Sequence, residues 1–201
     1  SIDSVGENYH YVRWPAGFDK VTRNLETMKR LHDTDPDRFP VLTVVPIFSL
    51  NNIFYIEDVL DFWSDWTDSS GVPINLNTRN LYRPDLLCIE ILPERYRSVL
   101  IEILKRCLDH RFFVDLVTPE QSSAYAHISS TLERLSRCDT ANENTFRGYL
   151  RFCADYDKRT GQSSHDGNQR LFGMLDDLDV MIYQQHFETT DISLPMYVSQ
   201  L

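Results

Sequence analysis

Val41-Leu42-Thr43-Val44-Val45-Pro46-Ile47-Phe48 is the stretch on which the fold turns. A near-continuous β-branched run of this kind fits a strand buried on both faces, as in a parallel sheet. Pro46 removes one ladder donor, which places it near the strand end or at a bulge. Upstream, Phe18, Val21, Leu25, Met28 and Leu31 recur at spacings of three and four, one apolar stripe of an α-helix that Asp33 to Pro36 ends. Downstream, Asn51-Asn52 offers a helix start. Ile56, Val59, Leu60 and Trp63 form the next stripe, with Asp58, Asp61 and Asp65 toward solvent and Ser69-Ser70-Gly71 as the break.

The pattern repeats further out. Val72 to Asn77 reads as a second short strand, Tyr82-Arg83-Pro84 as a turn, and Leu86 to Leu92 as apolar but open between strand and helix. Pro93 and Glu94 suit a first helical turn, and Val99, Leu100, Ile103, Leu104, Cys107 and Leu108 supply its core face. Strand and helix alternate to about residue 110, which predicts an α/β fold built from right-handed βαβ units. Beyond it, Phe112 to Val117 reads as a strand or a helix start. Helical stripes follow over Pro119–Leu135, at Phe146, Tyr149, Leu150 and Cys153, and from Leu171 to Ile182. Thr160 to Asn168 reads as a polar loop. The expected division is 1–115 and 116–201.

Composition narrows the function. The chain has 201 residues with 20 basic against 30 acidic, a net charge of −10. Duplex binding rests on cations neutralising phosphates, so a long nucleic acid is not an expected partner. No run approaches the 18 apolar residues of a membrane span, and no basic-then-apolar leader opens the sequence. Cys88, Cys107, Cys138 and Cys153 have no C-x2-C spacing and predict neither a zinc site nor a disulfide framework; a reducing, cytoplasmic setting is expected. The start at Ser1-Ile2-Asp3, read as the end of a strand, leads us to expect a piece of a longer protein.

Motifs are sparse. The six histidines form no H-E-x-x-H, and neither G-x-S-x-G nor a phosphate-cradling glycine loop occurs. His165-Asp166-Gly167 reads as a turn, and Asp176-Asp177-Leu178-Asp179 as a solvated helix face. The informative set lies at predicted strand ends: Ser1 and Asp3, then Ser49 and Asn52, then Asn75, Asn77 and Asn80, with Arg13 about ten residues beyond the first strand. Ligands of parallel α/β folds bind beyond the carboxyl ends of the strands. A carboxylate, hydroxyls, amides and a guanidinium together suit a ribose and an amino-acid group. Asn and Ser also serve as plain turn formers, and that alternative stays open.

Ser1-Ile2-Asp3-Ser4-Val5-Gly6-Glu7 with Tyr11-Val12-Arg13 resembles the fourth strand and following loop of radical S-adenosylmethionine (SAM) enzymes. Phe18-Asp19-Lys20-Val21 to Asn24-Leu25 is similar to the family's next helix motif, and Ser49 with Asn52-Ile53 to the end of its fifth strand. Asn77 to Leu81, Pro84 and Leu92-Pro93 resemble the sixth-strand region of members with a twitch or SPASM extension, and Asp157-Lys158-Arg159 is similar to a D-x-x-R segment of twitch-type tails. The resemblance implies the C-terminal half of a partial (β/α)6 barrel with parallel strands, followed by a mainly helical tail free of metal clusters. It implies an oxidoreductase-type chemistry in which a [4Fe–4S] cluster cleaves SAM to a 5′-deoxyadenosyl radical. By position, Ser1 and Asp3 would meet the ribose or amino-acid group of SAM and Arg13 its carboxylate. Ser49 and Asn52 would contact SAM, and Asn77 would border adenine or substrate. The C-x3-C-x2-C that ligates the cluster is absent from these 201 residues. The resemblance therefore implies an upstream barrel half as partner, and a peptide or small molecule as substrate. The alternative from another class is a non-catalytic α/β interaction module.

Overall fold

The computed structural model describes residues 2–116, 122–137 and 143–191. Helix dominates it. After an extended entry, α1 spans Gly6–Val12 and α2 Phe18–Thr34. β1 (Leu42–Val44) and β2 (Ile47–Phe48) follow, then α3 (Ile56–Ser70), β3 (Ile74–Leu76), β4 (Arg79–Asn80) and α4 (Glu94–Leu108). The remaining helices are α5 (Ser123–Ser136), α6 (Glu143–Thr160), the single turns α7 (Ser164–Gly167) and α8 (Gln169–Phe172), and α9 (Asp177–Thr189).

Neither the parallel α/β sheet expected from the alternation nor the partial (β/α)6 barrel implied by the resemblance forms. The structure holds two parallel pairs of very short strands: β1 on β3, with Leu42 opposite Ile74, and β2 on β4, with Ile47 opposite Arg79. The pairs share one register and read as a single two-stranded ribbon broken at Val45-Pro46. Across the break Asn77 N–H still donates to Val44 and Arg79 N–H to Pro46, each at 2.9 Å. Proline carries no ladder donor, which accounts for the break. Two strands cannot close a barrel, and the entry read as a strand end, like the segments left open between strand and helix, adds no strand. Residues 2–5 carry no strand, Asp85–Leu87 and Ile89–Ile91 are 3-10 turns, and Phe112–Leu116 is a π-helix. The run at 41–48 is not buried on both faces either: Val44 and Phe48 are buried, whereas Thr43 and Ile47 are exposed. With one partner strand and one covered face, period-two burial follows.

The helical stripes form as their spacing dictates. Ile56, Val59, Leu60 and Trp63 are buried along α3, which Gly71 ends in the left-handed conformation (φ 71°). Leu100, Ile103, Leu104 and Cys107 are buried along α4, which follows the extended cap Pro93. The tail departs from expectation at two places. The helix expected over Leu171–Ile182 is two helices, because Gly173 closes α8 and Asp176 caps α9 by accepting from the Asp179 N–H at 2.9 Å. The acidic Asp176–Asp179 stretch is solvated at Asp176 and Asp177 but not at Asp179, which is fully buried, accepting from Tyr96 Oη at 2.7 Å and from Arg95 at 2.5 Å. One apolar core, from Tyr9 to Tyr183, holds these helices together, with Trp63, Phe113, Phe146 and Tyr149 among its largest members.

Much of the acidic surface is spent within the fold. Along α3, Glu57 pairs with Arg106, Asp58 with Arg170, and Asp65 and Asp68 with Arg111. Such exposed pairs are worth about 0–1 kcal/mol each, so they tidy the surface more than they fix the fold.

Candidate functional site

Of the six residues that the resemblance places at SAM, Ser1 lies outside the described residues. Four of the others come together. Asp3 is buried and its carboxylate forms an ion pair with Arg13, the residue that caps the C-terminal end of α1. The other Asp3 oxygen, Oδ1, accepts the Ile47 N–H at 2.9 Å, which ties the entry segment to the edge of β2. Asn52, 1 % exposed, closes the ring: its Nδ2 donates to the Asp3 carbonyl at 2.7 Å and to the Ile47 carbonyl at 3.0 Å. Its Oδ1 accepts the Ser49 N–H at 2.7 Å and lies 3.3 Å from Ser49 Oγ. Asn77 stands apart, at the junction of β3 and β4, with its backbone on Val44 and its Oδ1 sealed from solvent without a hydrogen-bond partner among the described residues.

The division of labour follows from accessibility. Asn52 spends all four of its amide hydrogen-bonding positions on neighbouring groups, so it sets the shape of the 47–52 turn. Arg13 is different: its side chain keeps 40 % of its surface while Asp3 keeps 6 %. A guanidinium oriented by a buried carboxylate and still open to solvent is a preorganised fork for an incoming carboxylate or phosphate.

A second layer supports this turn, and the sequence reading did not find it. Asn8 Nδ2 donates to the Asn51 carbonyl at 2.8 Å and to the Gly167 carbonyl at 2.5 Å, and Ser4 Oγ bonds Asn8 Oδ1. Tyr149 Oη donates to Asn51 Oδ1 at 3.0 Å, and Asn168 Nδ2 to the Leu50 carbonyl at 3.0 Å. Tyr11 Oη and Ser164 Oγ share a hydrogen bond of 2.7 Å. The tail thus grips α1 and the 49–52 turn through buried polar groups that partner one another, with Asn168 Oδ1 left without a partner among the described residues.

Asp157 anchors the tail side. It is 1 % exposed and accepts from Ser164 N–H at 2.5 Å and from Tyr183 Oη at 2.6 Å. One signal was readable: Asp157 continues the Phe146, Tyr149, Leu150, Cys153 stripe by four residues, a carboxylate on a core face. Burial pushes its pKa up, against the lowering effect of the Tyr183 and Ser164 donors. The folded state therefore holds this proton more tightly than the unfolded chain does. The contribution of the protonated form is complete below the ordinary carboxylate pKa and is lost as pH rises toward the raised folded value. Urea unfolding at pH 4 and pH 7 should show Asp157→Asn with a smaller loss of stability between the two than the wild type; an equal loss in both proteins would remove this role.

The described cysteines do not fit an iron–sulfur cluster. Cys88, Cys107 and Cys153 are free and buried, and burial raises all three thiol pKa values, that of Cys153 to about 12. A metal needs the thiolate. Among the described residues no group of three His, Cys, Asp or Glu side chains is placed to hold a metal ion. A cavity of about 300 Å³ lies between α1 and residues 161–167, lined by Glu7, His10 and Asp166 among others, but neither Asp3, Arg13, Ser49, Asn52 nor Asn77 lines it. No helix among the described residues is long and apolar enough to cross a membrane. No protein-family model, curated protein or solved structure matches the chain.

Proposed function

We propose that this chain is the SAM-contacting part of a radical SAM enzyme, with Arg13 receiving the carboxylate of SAM and Asp3 holding Arg13 in place. The carrying observation is the ion pair of a buried Asp3 with a half-open Arg13 beside the Asn52-braced turn. Ser49 and Asn52 act here through position, since their polar atoms are engaged with each other and with the backbone. Cluster ligands would come from polypeptide outside these 201 residues, in keeping with the poor fit of the described cysteines, and no chemical step is assigned to the residues present. The free cysteines favour a reducing cytoplasm. A peptide or small molecule remains the expected substrate class.

The satisfied amide of Asn52 also supports a second reading, a non-catalytic module whose polar turn is purely structural. Calorimetric titration with SAM separates the two. Arg13→Ala should weaken binding about tenfold or more, the loss of a charge-assisted fork. Asn75→Ala, on the exposed ribbon face, should leave it unchanged. Absence of SAM binding in the wild type, or equal affinity in Arg13→Ala, would favour the module.

A further inference from the structure

A polar groove of about 360 Å³ runs between α6 and α9, lined by Arg151, Ile182, Gln185, His186 and Thr189. It stands on two helices whose mutual position is fixed by hydrogen bonds. Asp157 on α6 accepts from Tyr183 Oη on α9 at 2.6 Å, and Asp155 Oδ1 lies 3.0 Å from His186 Nε2. Lys158 Nζ donates to the Phe187 and Thr190 carbonyls at 2.8 and 2.7 Å. The groove is therefore preformed. Among the described residues no carboxylate lines it, on a chain whose net charge is −10.

One cation of this wall is uncommitted. Arg151 stands one turn before Asp155, the spacing of an intrahelical ion pair. Asp155 instead holds His186 and accepts from the Thr190 hydroxyl at 2.8 Å. Among the described residues Arg151 has no ion pair or hydrogen-bond partner, and neither has the Gln185 side chain. Arg147, a further turn back on α6, adds a second positive charge, its Nε sealed from solvent without an acceptor among the described residues. The other polar groups of the wall are spent: the Thr189 hydroxyl donates to the Gln185 carbonyl at 2.8 Å, and His186 Nε2 is engaged by Asp155. The donors left open are the Arg151 fork and the Gln185 amide, with Ile182 as the apolar part of the wall.

We propose that this groove binds a small carboxylic acid: Arg151 grips the carboxylate, Gln185 donates to one of its oxygens, and the carbon skeleton lies along Ile182. A planar guanidinium meets a carboxylate with two parallel hydrogen bonds. One open cation in the wall matches a monoanion, and Ile182 gives an apolar substituent a surface to cover. The site does not involve Arg13 and does not rest on the SAM reading.

Butyrate is the probe, followed by NMR through the Gln185 side-chain amide and the Ile182 methyl signals, with chloride at matched ionic strength as the blank. Butyrate should shift both signals saturably. Butyramide, of the same shape without the charge, should not. Arg151→Gln should weaken butyrate binding about tenfold, and Arg151→Lys, which keeps the charge without the fork, nearly as much. Arg151 is exposed and without partners among the described residues, so neither change removes a contact of the fold. Arg23→Gln on α2 should leave the response unchanged. Inorganic phosphate binding as tightly as butyrate would show that the groove selects charge alone and would overturn the carboxylate assignment. Equal shifts with butyrate and chloride, or wild-type affinity in Arg151→Gln or Arg151→Lys, would overturn it as well.

Discussion

Asn52→Ala should lower the stability of the folded chain by about 3 kcal/mol, since two buried backbone groups and one half-buried one lose their partner and each orphaned buried group costs about 1–3 kcal/mol before relaxation. The groups are the carbonyls of Asp3 and Ile47 and the Ser49 N–H. None has an easy substitute: Asp3 and Ser49 are themselves buried, and an alanine methyl brings no donor to them. The damage should spread to Arg13, because Asp3 is placed both by Asn52 and by the Ile47 N–H. Urea unfolding gives the free energy, and amide exchange at Ile47 and Ser49 shows whether the turn has opened. A loss below about 1 kcal/mol would mean that the turn holds without this amide, and that its hydrogen bonds are replaced by water.

How much of this could be read from the sequence depends on the range of the interaction. Helical stripes are local, and those of α2, α3 and α4 appear where three-and-four spacing puts them. Gly71 and Pro93 mark ends because left-handed backbone and a missing N–H act at single positions. The convergence of Asp3, Ser49 and Asn52 was also legible as a set of polar residues at the ends of extended segments, with Arg13 about ten residues beyond the first. Their roles were not, because which amide points inward depends on packing. The barrel failed for a related reason. An apolar run such as 41–48 shows that a strand is affordable, but not how many partners it finds, and here it finds one. Asp179 is the plainest case: its burial depends on Arg95 and Tyr96, more than eighty positions away, so nothing in Asp176-Asp177-Leu178-Asp179 itself distinguishes a buried carboxylate from a solvated one.

Gly167→Ala should cost about 3 kcal/mol or more, although it adds a single methyl group, because overpacking a stiff contact is compounded by the hydrogen bonds it breaks. A Cβ built on Gly167 would lie 2.3 Å from Tyr11 Cβ and 2.4 Å from its Cγ, well inside contact distance. Tyr11 cannot swing aside without cost, being buried and bonded through its hydroxyl to Ser164. The alternative is for α7 to lift from α1, which would stretch the Asn8 bond to the Gly167 carbonyl and unseat Asn168 from Leu50. Gly148 supplies the control. It lies inside α6, and a Cβ there meets nothing within 4 Å. Gly148→Ala should therefore stabilise the protein by about 0.5–1 kcal/mol through helix propensity and a less mobile unfolded chain. Thermal and urea unfolding of the two variants should move in opposite directions, and Gly167→Ala alone should speed amide exchange in α1 and residues 161–172. If the two substitutions behave alike, the close approach of α7 to Tyr11 does not hold in solution, and the tail's grip on the 49–52 turn must rest on Asn168 and Tyr149 instead.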